Sequence, residues 1–155
     1  KKWNNQGSSM FLAVGSKVTV ADLLDGIVTL SGNDACVVLA EGIAGSEEAF
    51  VDMMNKKAKE IGLANSRFGN SNGWPDEGRT YVTARDLAKL AKAFDMKVVG
   101  IRRDPKAGAN GADSIHGMGD LVKLVPDADF VALTCALTPE TTGLMSAAAF
   151  AAMKP

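Results

Sequence analysis

One octet, Leu87-Ala88-Lys89-Leu90-Ala91-Lys92-Ala93-Phe94, separates two kinds of hydrophobic pattern. Ahead of it apolar residues recur at helical spacing, as in Val20, Leu23, Leu24, Ile27 and Val28; behind it short apolar runs such as Val98-Val99-Gly100-Ile101 stand between polar loops. A chain of 155 residues is about one domain long, on a prior of roughly 100–200 residues per domain. One core is therefore expected rather than two complete ones. The expected fold class is α/β and mostly helical: a helical segment over 1–94, then a partial dinucleotide-fold rhythm of strand, helix, strand, helix over 95–155.

Local signals place the elements. The apolar spacing over 20–29 predicts a short helix ending before Ser31, with Gly32 making a tight turn. Asn33 and Asp34 are good N-cap types for the next helix, whose run Ala35 to Ala40 is too continuous for a surface element. Ser46 followed by Glu47 and Glu48 starts a third helix, with Lys56, Lys57 and Lys59 near its end and Gly62 as its stop. From Asn65 to Gly78 the chain is dense in Asn, Ser and Gly, which predicts a long loop anchored by Phe68 and Trp74. Thr83 then caps a helix running through Phe94. Beyond the octet, strands are expected at 97–101 and 129–134, with short helices over 118–125 and 146–153.

Composition removes several classes of function. Hydrophobic residues make up 46% and charged residues 23%, with a net charge of −1, and no block of Lys or Arg is long enough to track phosphates. Nucleic acid is not an expected partner. The longest apolar runs, CVVLA and FVAL, fall far short of the ~20 residues that cross a bilayer, so no membrane span is expected. The chain opens on Lys1-Lys2-Trp3 without a charged-then-apolar leader. Cys36 and Cys135 lack ligand-like neighbours, so no metal site is expected and both read as buried thiols. His116, the lone histidine, has no Ser or Cys partner that would make it a catalytic base.

The first segment, through VADLLDGIVTLSGNDACVVLAEGIAGSEEAF and on to YVTARDLAKLA, resembles the low-molecular-mass penicillin-binding proteins that are D-alanyl-D-alanine carboxypeptidases. Such enzymes combine a nucleophilic serine and a lysine in S-x-x-K with an assisting S-x-N and a K-T-G strand that holds the substrate carboxylate. Ser31 and Asn33 fall on S-x-N. The resemblance implies that Ser31 relays a proton between the lysine and the leaving amine, and that the Asn33 amide hydrogen-bonds the substrate backbone. It also implies a peptidoglycan-type peptide or a β-lactam as ligand, and no cofactor. Neither S-x-x-K nor K-T-G occurs in the chain, so acylation in the family's manner has no nucleophile here.

The second segment, DMKVVGIRRDP and DLVKLVPDADFVALTCALTPETTGLMSAAAFAAMKP, resembles the nucleotide-binding domain of the D-isomer-specific 2-hydroxyacid dehydrogenases. In a dinucleotide fold a residue at the end of the second strand reads the adenosine ribose. The resemblance places Arg102 there, where an acid would favour NAD. Arginine suits a 2′-phosphate, so NADP rather than NAD is the implied cofactor, with Arg103 as a second phosphate contact and Thr141 as a contact nearer the nicotinamide. Ala136 departs from the proline usual in that loop. The G-x-G-x-x-G turn does not occur: Gly117-Met118-Gly119 follows the strand, and Val122 occupies the third glycine position.

The octet suits helices of both families, so its apolar face of Leu87, Leu90, Ala91 and Phe94 must serve two partial cores. Apolar surface left uncovered by that union predicts self-association. The longer resemblance implies the periplasm and the shorter one the cytosol.

Overall fold

The computed structural model describes residues 7–155. The chain is α/β and mostly helical, with a two-stranded parallel sheet. It divides into two compact units, Lys1–Val82 and Thr83–Pro155.

In the first unit, helix α1 spans Val20–Leu30, with Thr19 as N-cap accepting the Asp22 N–H. Helix α2 spans Asn33–Ala44, and α3 spans Glu47–Glu60, with Ser46 accepting the Ala49 N–H. α2 packs against both neighbours. Its Ala35, Val37 and Ala40 are buried together with Leu23 of α1, Ala58 of α3 and Leu63. Small side chains at 35 and 40 let the helices approach closely. The α2 start differs from expectation: Gly32 is the N-cap, with an extended backbone, and Asn33 and Asp34 lie inside the first turn. Their side chains are drawn instead to segments far away in sequence.

The loop expected over 65–78 is tied at its ends by an isolated antiparallel bridge in which Arg67 and Tyr81 exchange N–H···O bonds of 2.8 and 2.9 Å. Closed ends over such a length describe an Ω-loop. Asn55 of α3 grips the Phe68 backbone from both sides, donating to its carbonyl at 2.7 Å and accepting its N–H at 3.0 Å. Phe68 and Trp74 are both half-buried.

In the second unit, α4 (Ala84–Lys92) begins at an N-cap Thr83 that accepts the Asp86 N–H. Strand β1 (Val99–Ile101) pairs in parallel with β2 (Ser114–His116), Gly100 standing opposite Ile115. A 3₁₀ turn at Met118–Asp120 leads into α5 (Leu121–Leu124), a second turn at Val125–Asp127, and finally α6 (Ala147–Ala152), capped by Ser146. Leu121, Val125 and Ala149 form the core, with Ile101, Val131, Leu144 and Met153 packed on it.

Two expectations for this unit are corrected. The strand read at 129–134 is not in a ladder among the described residues; the partner of β1 is Ser114–His116, so the order is helix, two strands, then the short helices. A strand exists only by pairing, and the segment over 102–113 is just long enough for a parallel return, which takes a dozen residues or more. Cys135 follows the unladdered run and is exposed, whereas Cys36 is half-buried; neither is in a disulfide. Among the described residues no helix is long and apolar enough to cross a membrane.

Candidate functional site around Ser31 and Asn33

Ser31 ends α1 in the left-handed region, at φ 54° and ψ 43°. For a residue with a Cβ this costs about 1 kcal/mol, and such a conformation persists only where its surroundings impose it. The Ser31 and Gly32 N–H groups both donate to the Gly26 carbonyl, the second at 3.1 Å. Gly26 is itself covered by the Met10 side chain so closely that a Cβ there would collide with it. The turn is thus held from α1 outward, and Ser31 stands exposed on it.

Asn33, 8% exposed, is a hub. Its backbone N–H donates to the Ser8 carbonyl at 3.1 Å, and its Nδ2 donates to the same carbonyl at 2.9 Å and to Ser31 O at 3.5 Å. Its Oδ1 accepts from Asn72 Nδ2 at 3.0 Å. The orientation of the amide is therefore set by partners on both sides, with its NH₂ toward the Ser31 turn. Asn72 is fixed in turn, its Oδ1 accepting the Trp74 N–H at 3.1 Å, and Asn70 Oδ1 accepts the Gly73 N–H at 2.7 Å.

Two buried carboxylates brace this arrangement. Asp34 accepts from the N–H groups of Met10 (2.8 Å), Leu12 (3.0 Å) and Ala35 (3.0 Å). Burial pushes its pKa up, but the Leu12, Met10 and Ala35 donors and the Ser9 hydroxyl outweigh that and hold it below the usual carboxylate range. Asp76 accepts the Thr80 hydroxyl at 2.6 Å, the Thr80 N–H at 2.8 Å and Asn70 Nδ2 at 3.0 Å. The Thr80 hydroxyl and N–H, aided by the Arg79 charge, lower its pKa against the effect of burial. Cys36 nearby is pushed upward by burial and by the charges of Asp34 and Glu47, so it rests as a neutral thiol.

The structure brings Ser31 and Asn33 together, Asn33 Nδ2 lying 3.5 Å from Ser31 O. It adds Asn72 and Asp76, and it makes Asp34, an N-cap type by sequence, a brace for the segment at Met10 and Leu12. The sequence signal for the loop residues is the density of Asn, Ser and Gly over 65–78, which indicates a loop but not which of its polar side chains face Asn33. The exposed Ser31 hydroxyl can relay a proton, whereas the Asn33 amide is buried with both ends engaged by Ser8, Ser31 and Asn72; an unactivated serine is a weak nucleophile.

In the second unit, Arg102 is half-buried and its Nη1 lies 3.4 Å from Gly108 O, while Arg103 is exposed. The Thr141 hydroxyl donates to Ala136 O at 2.6 Å and accepts the Thr138 N–H at 2.8 Å, closing its own turn. Beside it lies an open groove of about 280 Å³, lined by Leu133, Cys135, Leu137, Thr141, Leu144 and Met145 among others. His116 Nε2 lies 3.1 Å from Ser114 Oγ.

Residues 1–103 match the family model for D-alanyl-D-alanine carboxypeptidase, and residues 82–155 match that for the D-isomer specific 2-hydroxyacid dehydrogenase NAD binding domain. The two ranges overlap across α4. The carboxypeptidase DacF of Bacillus subtilis is 54% identical over 86 residues, covering 56% of this chain and 22% of DacF. DacC of Escherichia coli is 49% identical over 90 residues, covering 57% of this chain and 22% of DacC. Among solved structures, the carboxypeptidase DacD from Francisella tularensis superposes with a TM-score of 0.55 at 40% identity, covering 69% of this chain and 24% of that one. The chain thus spans about a fifth of the length of these curated relatives. By its 1–103 match the chain belongs to the D-alanyl-D-alanine carboxypeptidase family, and it carries over 82–155 a second match, to the NAD-binding domain of D-isomer specific 2-hydroxyacid dehydrogenases.

Proposed function

We propose that the Ser31–Asn33 turn is the assisting S-x-N part of a serine-type carboxypeptidase site acting on peptidoglycan-type peptides, and that this polypeptide alone does not turn over. The observation that carries the reading is the strained, over-determined turn: Ser31 is held left-handed and exposed while Asn33 is clamped by Ser8 and Asn72. Ser31 would relay a proton, and Asn33 would hold the peptide by exchanging its bond to Ser8 or Asn72 for one to the substrate. Without S-x-x-K there is no activated serine, and without K-T-G no clamp for the terminal carboxylate. The test is incubation with a fluorescent penicillin followed by denaturing electrophoresis. No covalent label is expected, and stable labelling at any serine would overturn the claim of inactivity.

The match over 82–155 favours a second reading for the second unit, a weak NADP site. Arg102 and Arg103, just beyond β1, fit a 2′-phosphate, and the long 3.4 Å contact to Gly108 O leaves the Arg102 guanidinium largely uncommitted. The fit stops there, because the chain has no Gly-rich turn for the pyrophosphate and the Thr141 hydroxyl is engaged within its own loop. Amide spectra recorded with millimolar NADPH should shift at Arg102 and Arg103, and at Thr141 only if its turn opens; unchanged spectra would remove the reading.

A further inference from the structure

We propose that the second unit associates with a second copy of this chain by strand addition, the open edge of β1 in one copy pairing with the Phe130–Thr134 run of the other, and reciprocally. Strand β1 has one edge occupied. Arg102 N–H donates to His116 O at 3.0 Å and Asp113 N–H donates to Val98 O at 2.8 Å, so the backbone groups at 98, 100 and 102 face β2. By strand alternation those of Val99 and Ile101 face the other way. No third strand lies there among the described residues, and a two-stranded pair is marginal without a further strand or a covering face.

The complementary piece is in the same unit. Phe-Val-Ala-Leu-Thr at 130–134 is uncharged, rich in strand formers and outside any ladder among the described residues. Val131 packs on the core that also receives Ile101, while Phe130 is 79% and Leu133 61% exposed. The run is held in its own copy by Val131 and by Lys154, which bonds Asp127 O at 3.1 Å and Asp129 Oδ1 at 2.7 Å. It therefore does not pair with the second edge of its own β1, and most of the run lies in solvent.

Charge favours this occupant over an arbitrary apolar strand. β1 is flanked by Lys97 on one side and by Arg102 and Arg103 on the other, and the run is preceded by Asp129, which is 75% exposed beside Lys154, so its carboxylate can also face a base whichever direction the strands take. A reciprocal exchange is two-fold: it pairs the open edge of β1 with the 130–134 run in both directions, and of the sheet's edges among the described residues the outer one of β2 stays free.

Sedimentation of the chain over a range of concentrations up to millimolar should show a monomer–dimer equilibrium. Replacing both Phe130→Lys and Leu133→Lys should weaken it at least tenfold with the far-UV circular dichroism unchanged, since both side chains are mostly exposed. A second variant, Val99→Pro, removes an outward N–H at the first residue of β1, where proline is tolerated, and should weaken the dimer similarly. Hydrogen exchange should show amide protection at 99–101 and 130–134 rising with concentration. A monomer at every concentration, association that neither variant weakens, or protection confined to other segments would each overturn the proposal.

Discussion

The two units hold their irregular segments by different means. In the first, buried side chains reach far along the chain: Asp34 takes the amides of Met10 and Leu12, and Asn72 closes on Asn33 across thirty-nine positions. In the second, several loops close on themselves, as where Thr141 bonds Ala136 and Thr138, or Asp104 accepts the Lys106 N–H, and the long-range anchors are exposed: Lys154 on Asp127 and Asp129, and Asp113 on Lys92 and the Val98 N–H. Large apolar side chains stay in solvent in both units, Phe11 and Val28 in the first and Phe130 and Leu137 in the second. Long-range clamps can impose a costly local backbone, such as the left-handed Ser31, because several independent partners oppose its relaxation. Local turns exert no such constraint on their neighbours.

Breaking the principal clamp should have the largest effect. Asp34→Ala leaves the Met10, Leu12 and Ala35 N–H groups without their acceptor, and unsatisfied buried donors cost about 1–3 kcal/mol. A loss of about 3 kcal/mol in urea unfolding is expected, with the exchange protection of Met10 and Leu12 abolished. A loss under about 1 kcal/mol would show that the clamp is dispensable and that helix packing alone holds the turn.

Acid is the next lever. Asp34 and Asp76 both titrate below the usual carboxylate range in the folded chain. Each therefore contributes stability that is fully present above the unfolded value near ~4 and is lost as pH falls through the folded value. Urea midpoints compared at neutral pH and at successively lower pH should drop in that window, with the first unit losing its exchange protection. Asp34→Asn should flatten the dependence. An unchanged slope would place the proton-linked stability elsewhere.

A smaller effect tests the other side of the contrast. Thr141→Val keeps the shape but removes the bonds to Ala136 and Thr138, and one partly exposed turn hydrogen bond is worth about 1 kcal/mol. Exchange should rise over 136–142 while the first unit is untouched. A loss as large as that of Asp34→Ala would erase the distinction between local and long-range anchoring.

How far the sequence was legible follows the same line. Caps at Thr19, Ser46, Thr83 and Ser146 act within three residues, and each helix they begin was readable from its own letters. The strand assigned to 129–134 was misplaced because its composition was right while its partner was not local; Ser-Ile-His at 114–116, short and followed by glycine, became a strand only by lying beside Val99–Ile101. Ser31 and Asn33 could be singled out from their motif. Asn72 and Asp76 could not, since the bond from Asn72 to Asn33 and the contacts that make Asp76 a brace depend on how the Ω-loop closes.

The smallest expected change probes the strain at Ser31 itself. Ser31→Gly relieves a left-handed conformation that costs about 1 kcal/mol, but glycine also makes the unfolded chain more flexible, which takes back roughly 0.5–1 kcal/mol. The net should be a gain of at most about 0.5 kcal/mol, with the Asn33 side-chain amide resonances unmoved, because Ser8 and Asn72 rather than the Ser31 hydroxyl fix that amide. A loss of more than about 1 kcal/mol would mean that the hydroxyl is a structural group of the turn. It would then have a bond to surrender before it could relay any proton. A neutral or favourable result instead identifies serine at this position as a residue kept against the local preference of the backbone, as a displayed reactive group would be.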